Sequence, residues 1–240
     1  MLKKDLSVNL FKYMGEEVSK QYNNWADEHD WKTVKYDKES RALFYSFFNF
    51  ETKGKKLLDV ACGSGHDLKH YQDVMGCDSY GVDASEDEAS LANKRMGAEK
   101  VKVGFSYAIP YEDNSFDIVV SKYALQAFES IEDFYNEANR VLKPGGYIVI
   151  LATHPMRHFL EKTEKPRDYF KKEIVVSWIY EHTLPLKEWS HTFNDYYSKF
   201  FFEHFVIEQY IETTDTKECV EWVDGEKYPG YFIYRAKKKI

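Results

Sequence analysis

The stretch LLDVACGSGHD, residues 57–67, constrains this chain more than any other. An apolar run ending in an acid, a small residue and two closely spaced glycines marks a buried strand that turns directly into a helix. Glycine there permits positive φ and lets a ligand approach backbone N–H groups without meeting a Cβ. HDLKHYQDVM then reads as the helix, SYGVDAS as a second strand ending in an acid, EDEASLANKRMG as a helix closed by Gly97, and KVKVGF as a third strand. FDIVVS and YIVILAT are apolar strands on either side of IEDFYNEANRVL, where Ile131, Phe134, Tyr135, Ala138, Val141 and Leu142 recur at helical spacing. Apolar strands alternating with helices imply an α/β fold, a doubly wound, mostly parallel sheet covered on both faces.

Beyond Thr153 the pattern changes. Residues 154–192 are rich in aromatics and charges and poor in period, as expected of a region that faces a substrate. LKEWSHTFNDYYSKF reads as a helix, and FVIEQYIE and YFIYRAK as two antiparallel strands joined by a polar loop. The first 50 residues read as a helical cap.

The net charge of −7 excludes a protein that coats nucleic acid, which needs a basic face. The terminal RAKKK is a solvated strand end. Three cysteines, Cys62, Cys77 and Cys219, lack metal-ligand spacing and fit reduced thiols, so a cytoplasmic location and no metal are expected. No apolar run approaches the roughly 20 residues of a membrane span, and the amino terminus turns acidic too early for a signal peptide.

A dinucleotide-binding turn would read G-x-G-x-x-G. Counted from Gly63 the sixth position is Leu68, and counted from Ala61 it is His66, so both frames fail. What remains is D-x-A-C-G-x-G, with Asp83 at the end of the second strand placed to take both hydroxyls of a ribose. The ligand so described is a nucleoside without a pyrophosphate.

LLDVACGSG, YGVDAS, AIPYEDNSFDIVVSKYALQAF and RVLKPGGYIVI resemble, in order and spacing, the motifs of class I S-adenosylmethionine-dependent methyltransferases, small-molecule branch, over residues 55–154. The resemblance implies a Rossmann-like, seven-stranded sheet with an antiparallel last strand. It implies one domain over residues 1–240: a cap (1–50), a cofactor-binding core (55–153), a variable substrate region (154–192) and a C-terminal helix with strands (193–240). Asp59, Ala61, Cys62, Gly63 and Gly65 would hold the methionine part of S-adenosyl-L-methionine, Asp83 the ribose and Ala84 the adenine face, while Ser121, Tyr123 and Gln126 would lie near the sulfonium. Phe105 stands where relatives carry an acid for the adenine amino group, so Ser106 or backbone carbonyls would take over that bond. Tyr22 and Trp25 align with an aromatic segment that closes over the cofactor, and an aromatic face suits a sulfonium. The product would be S-adenosyl-L-homocysteine.

Methyl transfer from a sulfonium asks the protein mainly to align a nucleophile and exclude water. His154, directly after a strand, is the candidate general base, with the bland alternative that it shapes the turn before Pro155; Tyr123 is a second candidate. His158, His182 and His191 read as surface or packing residues. Trp178, Tyr180 and Trp189 are candidate pocket residues. The acceptor is expected to be a small molecule, with neither nucleic acid nor membrane as partner and a monomer or homodimer as the assembly. Two rivals stand beside this reading: a non-catalytic S-adenosylmethionine-binding protein and a nicotinamide-dependent oxidoreductase.

Overall fold

The computed structural model describes residues 20, 22, 23, 32, 35–179, 184–213 and 227–240. Its centre is a seven-stranded sheet of order β3-β2-β1-β4-β5-β9-β8. The strands are β1 (Lys56–Val60), β2 (Asp78–Asp83), β3 (Val101–Val103), β4 (Phe116–Lys122), β5 (Leu142–Thr153), β8 (Phe205–Thr213) and β9 (Tyr231–Lys238). β1 to β5 pair in parallel, whereas β9 lies antiparallel to both β5 and β8. The sheet is therefore the mostly parallel, Rossmann-like one implied by the sequence, with one reversed strand.

Alternation along the central strands builds a core on each face. Val119, Ile148 and Ile150 meet α4 (Ile131–Val141) on one side, whereas Ile118, Val120, Val149 and Leu151 meet α1 (Lys38–Tyr45), α2 (His66–Asp73) and α3 (Glu86–Met96) on the other. α4 starts where Ser130 accepts the Asp133 N–H and buries Ile131, Phe134, Tyr135, Ala138 and Val141 in one stripe. Each such apolar side chain contributes about 1.5–3 kcal/mol.

The region after β5 departs from expectation in one respect. α5 (Pro155–Glu161) is followed by an antiparallel hairpin of β6 (Ile174–Ile179) and β7 (Leu184–Trp189), so LPLKEW is a strand and not the start of a helix. Its period is two: Leu184, Leu186 and Glu188 are buried while Lys187 is exposed. Helix begins only at α6 (Phe193–Tyr196), under a Thr192–Asp195 capping box, and resumes at α7 (Lys199–His204), where Ser198 caps. The expected cap (1–50) lies largely outside the described residues, but α1 belongs to it. No described helix is long and apolar enough to cross a membrane.

Candidate active site

The turn between β1 and α2 sits at the carboxyl end of the parallel strands, where open α/β sheets bind ligands. Ala61, Gly63 and Gly65 all take positive φ, at 61°, 52° and 81°. At Gly65 a Cβ would lie 2.9 Å from the Ala92 Cβ of α3, so this glycine also allows the two helices to approach. Parallel pairing of Val60 with Val82 brings Asp83 beside the turn. There its carboxylate accepts the Gly63 N–H at 2.8 Å and the Ser85 N–H at 2.9 Å. Turn and acid are one unit, as their sequence spacing implied.

The other expected cofactor residues divide into two groups. Ala84, Phe105 and Ser106 are half-buried and follow the ends of β2 and β3. Phe105 stacks on Tyr107 with centroids 5.2 Å apart and planes at 9°, a flat aromatic plate, while the Gly104 N–H donates to the Asp83 carbonyl. Tyr22, half-buried, lies within electrostatic reach of Glu188, Asp83 and Glu88, and burial together with these carboxylates pushes its hydroxyl up. Next to it Asn23 accepts from the Ser85 hydroxyl. Ser121 and Cys62, by contrast, are spent on the fold. The Ser121 hydroxyl donates to the Val60 carbonyl at 2.8 Å, and the Cys62 sulfur lies where a Cβ on Gly81 would stand, 2.6 Å away. Burial pushes that thiol well up, away from thiolate chemistry.

Beneath the turn is an ion cluster that motif reading missed. Lys122 Nζ lies 3.1 Å from Asp37 and 3.5 Å from Asp67, and Arg41 Nε is 2.9 Å from the other Asp67 oxygen. The Tyr45 hydroxyl also donates to Asp67. Burial would raise the Asp67 carboxyl, but Lys122 and Arg41 outweigh it and hold it below the usual range. Asp59 is pushed well up by burial and by Asp67, with Lys122 opposing. The cluster ties α1 and α2 to the end of β4. Its one sequence signal is a lysine closing an apolar strand.

Just past Lys122, Tyr123 takes φ of 52°, unusual for a bulky residue, with its N–H bonded to the Leu151 carbonyl. Gln126 is buried in a 3-10 turn (Leu125–Ala127), and its Oε1 finds no hydrogen-bond partner among the described residues. Trp25, Tyr180 and His182 lie outside the described residues.

His154 makes its hydrogen bond through one ring nitrogen. Nδ1 accepts the Met156 N–H at 3.1 Å, capping α5, while the buried Nε2 lies 3.6 Å from Glu212 with no hydrogen-bond partner among the described residues. Burial lowers its proton affinity, with Glu212 opposing. His158 and His191, read as surface or packing residues, are both buried, at 0% and 2% exposure, and both make polar bonds. Trp178 lies on the outer face of the hairpin with Ile174 and Val176, whereas Trp189 packs half-buried beneath Lys172. Among the described residues no cluster of three or more His, Cys, Asp or Glu side chains could hold a metal ion.

Residues 58–150 match the family model described as "Methyltransferase domain". A Staphylococcus aureus demethylmenaquinone methyltransferase is 37% identical over 106 residues, 42% of this chain and 44% of that protein. Phosphoethanolamine N-methyltransferase 2 of Caenorhabditis elegans is 31% identical over 139 residues, 56% of this chain and 31% of that one. The matches thus span less than half the length of these relatives. In fold, an S-adenosylmethionine-dependent methyltransferase from Mesorhizobium loti superposes with a TM-score of 0.65 at 18% identity, over 82% of this chain and 96% of that one. Motifs, topology and family match agree: the core of this chain, residues 58–150, is a methyltransferase domain on the fold of the class I S-adenosylmethionine-dependent methyltransferases.

Proposed function

We propose that the chain transfers a methyl group from S-adenosyl-L-methionine to a small-molecule acceptor. The observation that carries this reading is the unit of turn and acid, in which three residues of the turn take positive φ and the Gly63 and Ser85 N–H groups hold the Asp83 carboxylate beside it. The residues therefore fit a nucleoside that continues into an amino acid. When bound, the cofactor supplies an already activated methyl group on a sulfonium.

The chain's own residues bind, orient and exclude water. Asp83 fixes the ribose, the Phe105–Tyr107 stack and Ala84 offer the adenine a flat apolar surface, and Ser106 with nearby backbone carries the polar contact of the missing acid. Residues 59–65 cradle the methionine end, with Asp59 on the ammonium side. Tyr22 covers the cleft from the cap. Tyr123 and Gln126 close the reacting side, Ser121 holds β1 to β4, and His154 positions α5. Residues 154–192 form the acceptor-facing part.

The known acceptor classes of the relatives supply the first trials. Methyl transfer from methyl-labelled S-adenosylmethionine to phosphoethanolamine, a demethylmenaquinone and a panel of small amines and phenols is expected to label at least one, with S-adenosylhomocysteine as co-product. Cofactor binding with no labelled product on any class would favour the non-catalytic binding protein.

A further inference from the structure

A second concave site lies at the amino ends of β1 and β4, away from the β1–α2 turn. Residues 104–115, between β3 and β4, form a loop and no helix, and this loop stands over Tyr80 of β2. Beneath it is a groove of about 530 Å³, lined by Tyr80, Tyr111 and Phe116 together with Lys56, Lys102 and Glu112. That volume is within the roughly 300–1,000 Å³ of small-molecule sites.

The aromatic lining is a built cluster. Tyr80, Tyr111 and Phe116 meet edge to face in all three pairs, with centroids 6.2, 5.9 and 5.1 Å apart. The Tyr111 hydroxyl donates to the Gly81 and Lys100 carbonyls at 3.0 and 3.2 Å, which ties the loop down onto β2. From α4, Arg140 donates to the Ile109 and Tyr111 carbonyls, and Glu137 accepts the Ile109 N–H. The wall is therefore formed in advance, so a ligand has little to order on binding.

The charged lining selects the ligand. Lys56 Nζ lies 5.8 Å from the Tyr80 centroid, and Lys102 Nζ lies 4.4 Å from the Tyr111 centroid while donating to the Pro110 carbonyl at 2.9 Å. Neither ammonium has a carboxylate partner among the described residues, whereas neighbouring Lys100, 4.2 Å over Tyr80, is paired with Asp78 at 2.7 Å. Against the two lysines the lining sets one acid, exposed Glu112, so on a chain of net charge −7 the groove is a local positive spot. Two ammonium groups beside aromatic rings repel a cation and leave their donors unused by a neutral ring; an aromatic anion satisfies both.

We propose that this groove is a binding site, separate from the cofactor site, for a planar aromatic carboxylate. Its ring packs on Tyr80, Tyr111 and Phe116, and its carboxylate accepts from Lys56 and Lys102. The two sites sit at opposite ends of the sheet: Lys56 and Phe116 open β1 and β4, whereas the turn follows Val60, and Tyr80 precedes Asp83 by three residues, roughly 10 Å of strand.

The probe is sodium 2-naphthoate, titrated into full-length protein carrying ring-¹³C tyrosine, with 2-naphthalenemethanol and sodium acetate as controls. Tyr80→Phe and Tyr111→Phe assign the two ring signals. A saturable shift of both rings with naphthoate is expected, weaker with the alcohol and absent with acetate, and it should persist under saturating S-adenosylhomocysteine. Lys56 and Lys102 are exposed, so the double variant Lys56→Gln with Lys102→Gln should fold and should weaken naphthoate binding at least about tenfold. No saturable shift at these rings, equal binding of the alcohol, displacement by S-adenosylhomocysteine, or unchanged affinity in the double variant would each overturn the proposal. Because the readout is Tyr80 and Tyr111, the result stands whether or not the chain proves to bind S-adenosylmethionine.

Discussion

The β1–α2 turn and the β6–β7 hairpin solve the same problem, holding polar groups under a roof, by opposite means. At the turn, Asp83 is satisfied by backbone N–H groups of residues 63 and 85, near neighbours once β1 and β2 pair. Under the hairpin, His158 meets Glu188 across 30 residues and His191 meets Phe128 across 63. Backbone-built polarity belongs to a local conformation and travels with a motif. Side-chain-built polarity depends on how segments far apart in the chain pack together.

The largest way to break the local half is Gly65→Val. With φ at 81° and Ala92 at 2.9 Å from the first added carbon, it should cost about 3–4 kcal/mol in urea unfolding, more than a core truncation of similar size. Next, Lys122→Met leaves Asp37 and Asp67 with a missing partner in a buried cluster, an expected loss of about 3 kcal/mol by the same measurement. Asp83→Ala separates binding from folding: it should weaken S-adenosylmethionine binding by about 1–3 kcal/mol, read by calorimetry. Unchanged affinity in a folded variant would remove Asp83 from the site.

A pH-dependent effect sharpens the hairpin half. Burial, with Lys172 adding to it, pushes the His191 imidazole down to about 3 from its usual 6.5. A histidine with a depressed folded pKa binds fewer protons folded than unfolded between these values. Its stabilising contribution is present above the unfolded pKa and is lost as pH falls through that window, at up to about 1.4 kcal/mol per pH unit. His191→Gln should flatten the stability profile between pH 6 and about 4, measured by denaturant midpoints; an unchanged slope would mean that His191 is already charged or solvated.

This division also decides what could be read in the chain. The turn, the alternation of parallel strands with helices and the two antiparallel C-terminal strands were legible because glycine spacing and apolar alternation act over a few residues, and the seven-stranded sheet followed from the family resemblance. The strand LPLKEW was not: its inward residues alternate, but the charged Glu188 among them looks like a solvent-facing residue until His158 is seen beside it. The same long-range pairing hides the polar partners of His158 and His191, which were read as surface or packing residues and are buried. Asp37, Arg41 and Lys122 escaped for the converse reason, since each is an ordinary surface residue type that only packing of α1 onto the turn converts into a buried cluster.

The most direct test is isothermal titration of the purified protein with S-adenosylmethionine, S-adenosylhomocysteine and NADH in parallel. Saturable binding of the first two and none of NADH is the expected result, since the turn lacks the third small residue of a pyrophosphate site while Asp83 is held for a ribose. Binding of NADH alone, or of none of the three, would contradict the assignment of this turn as an S-adenosylmethionine site.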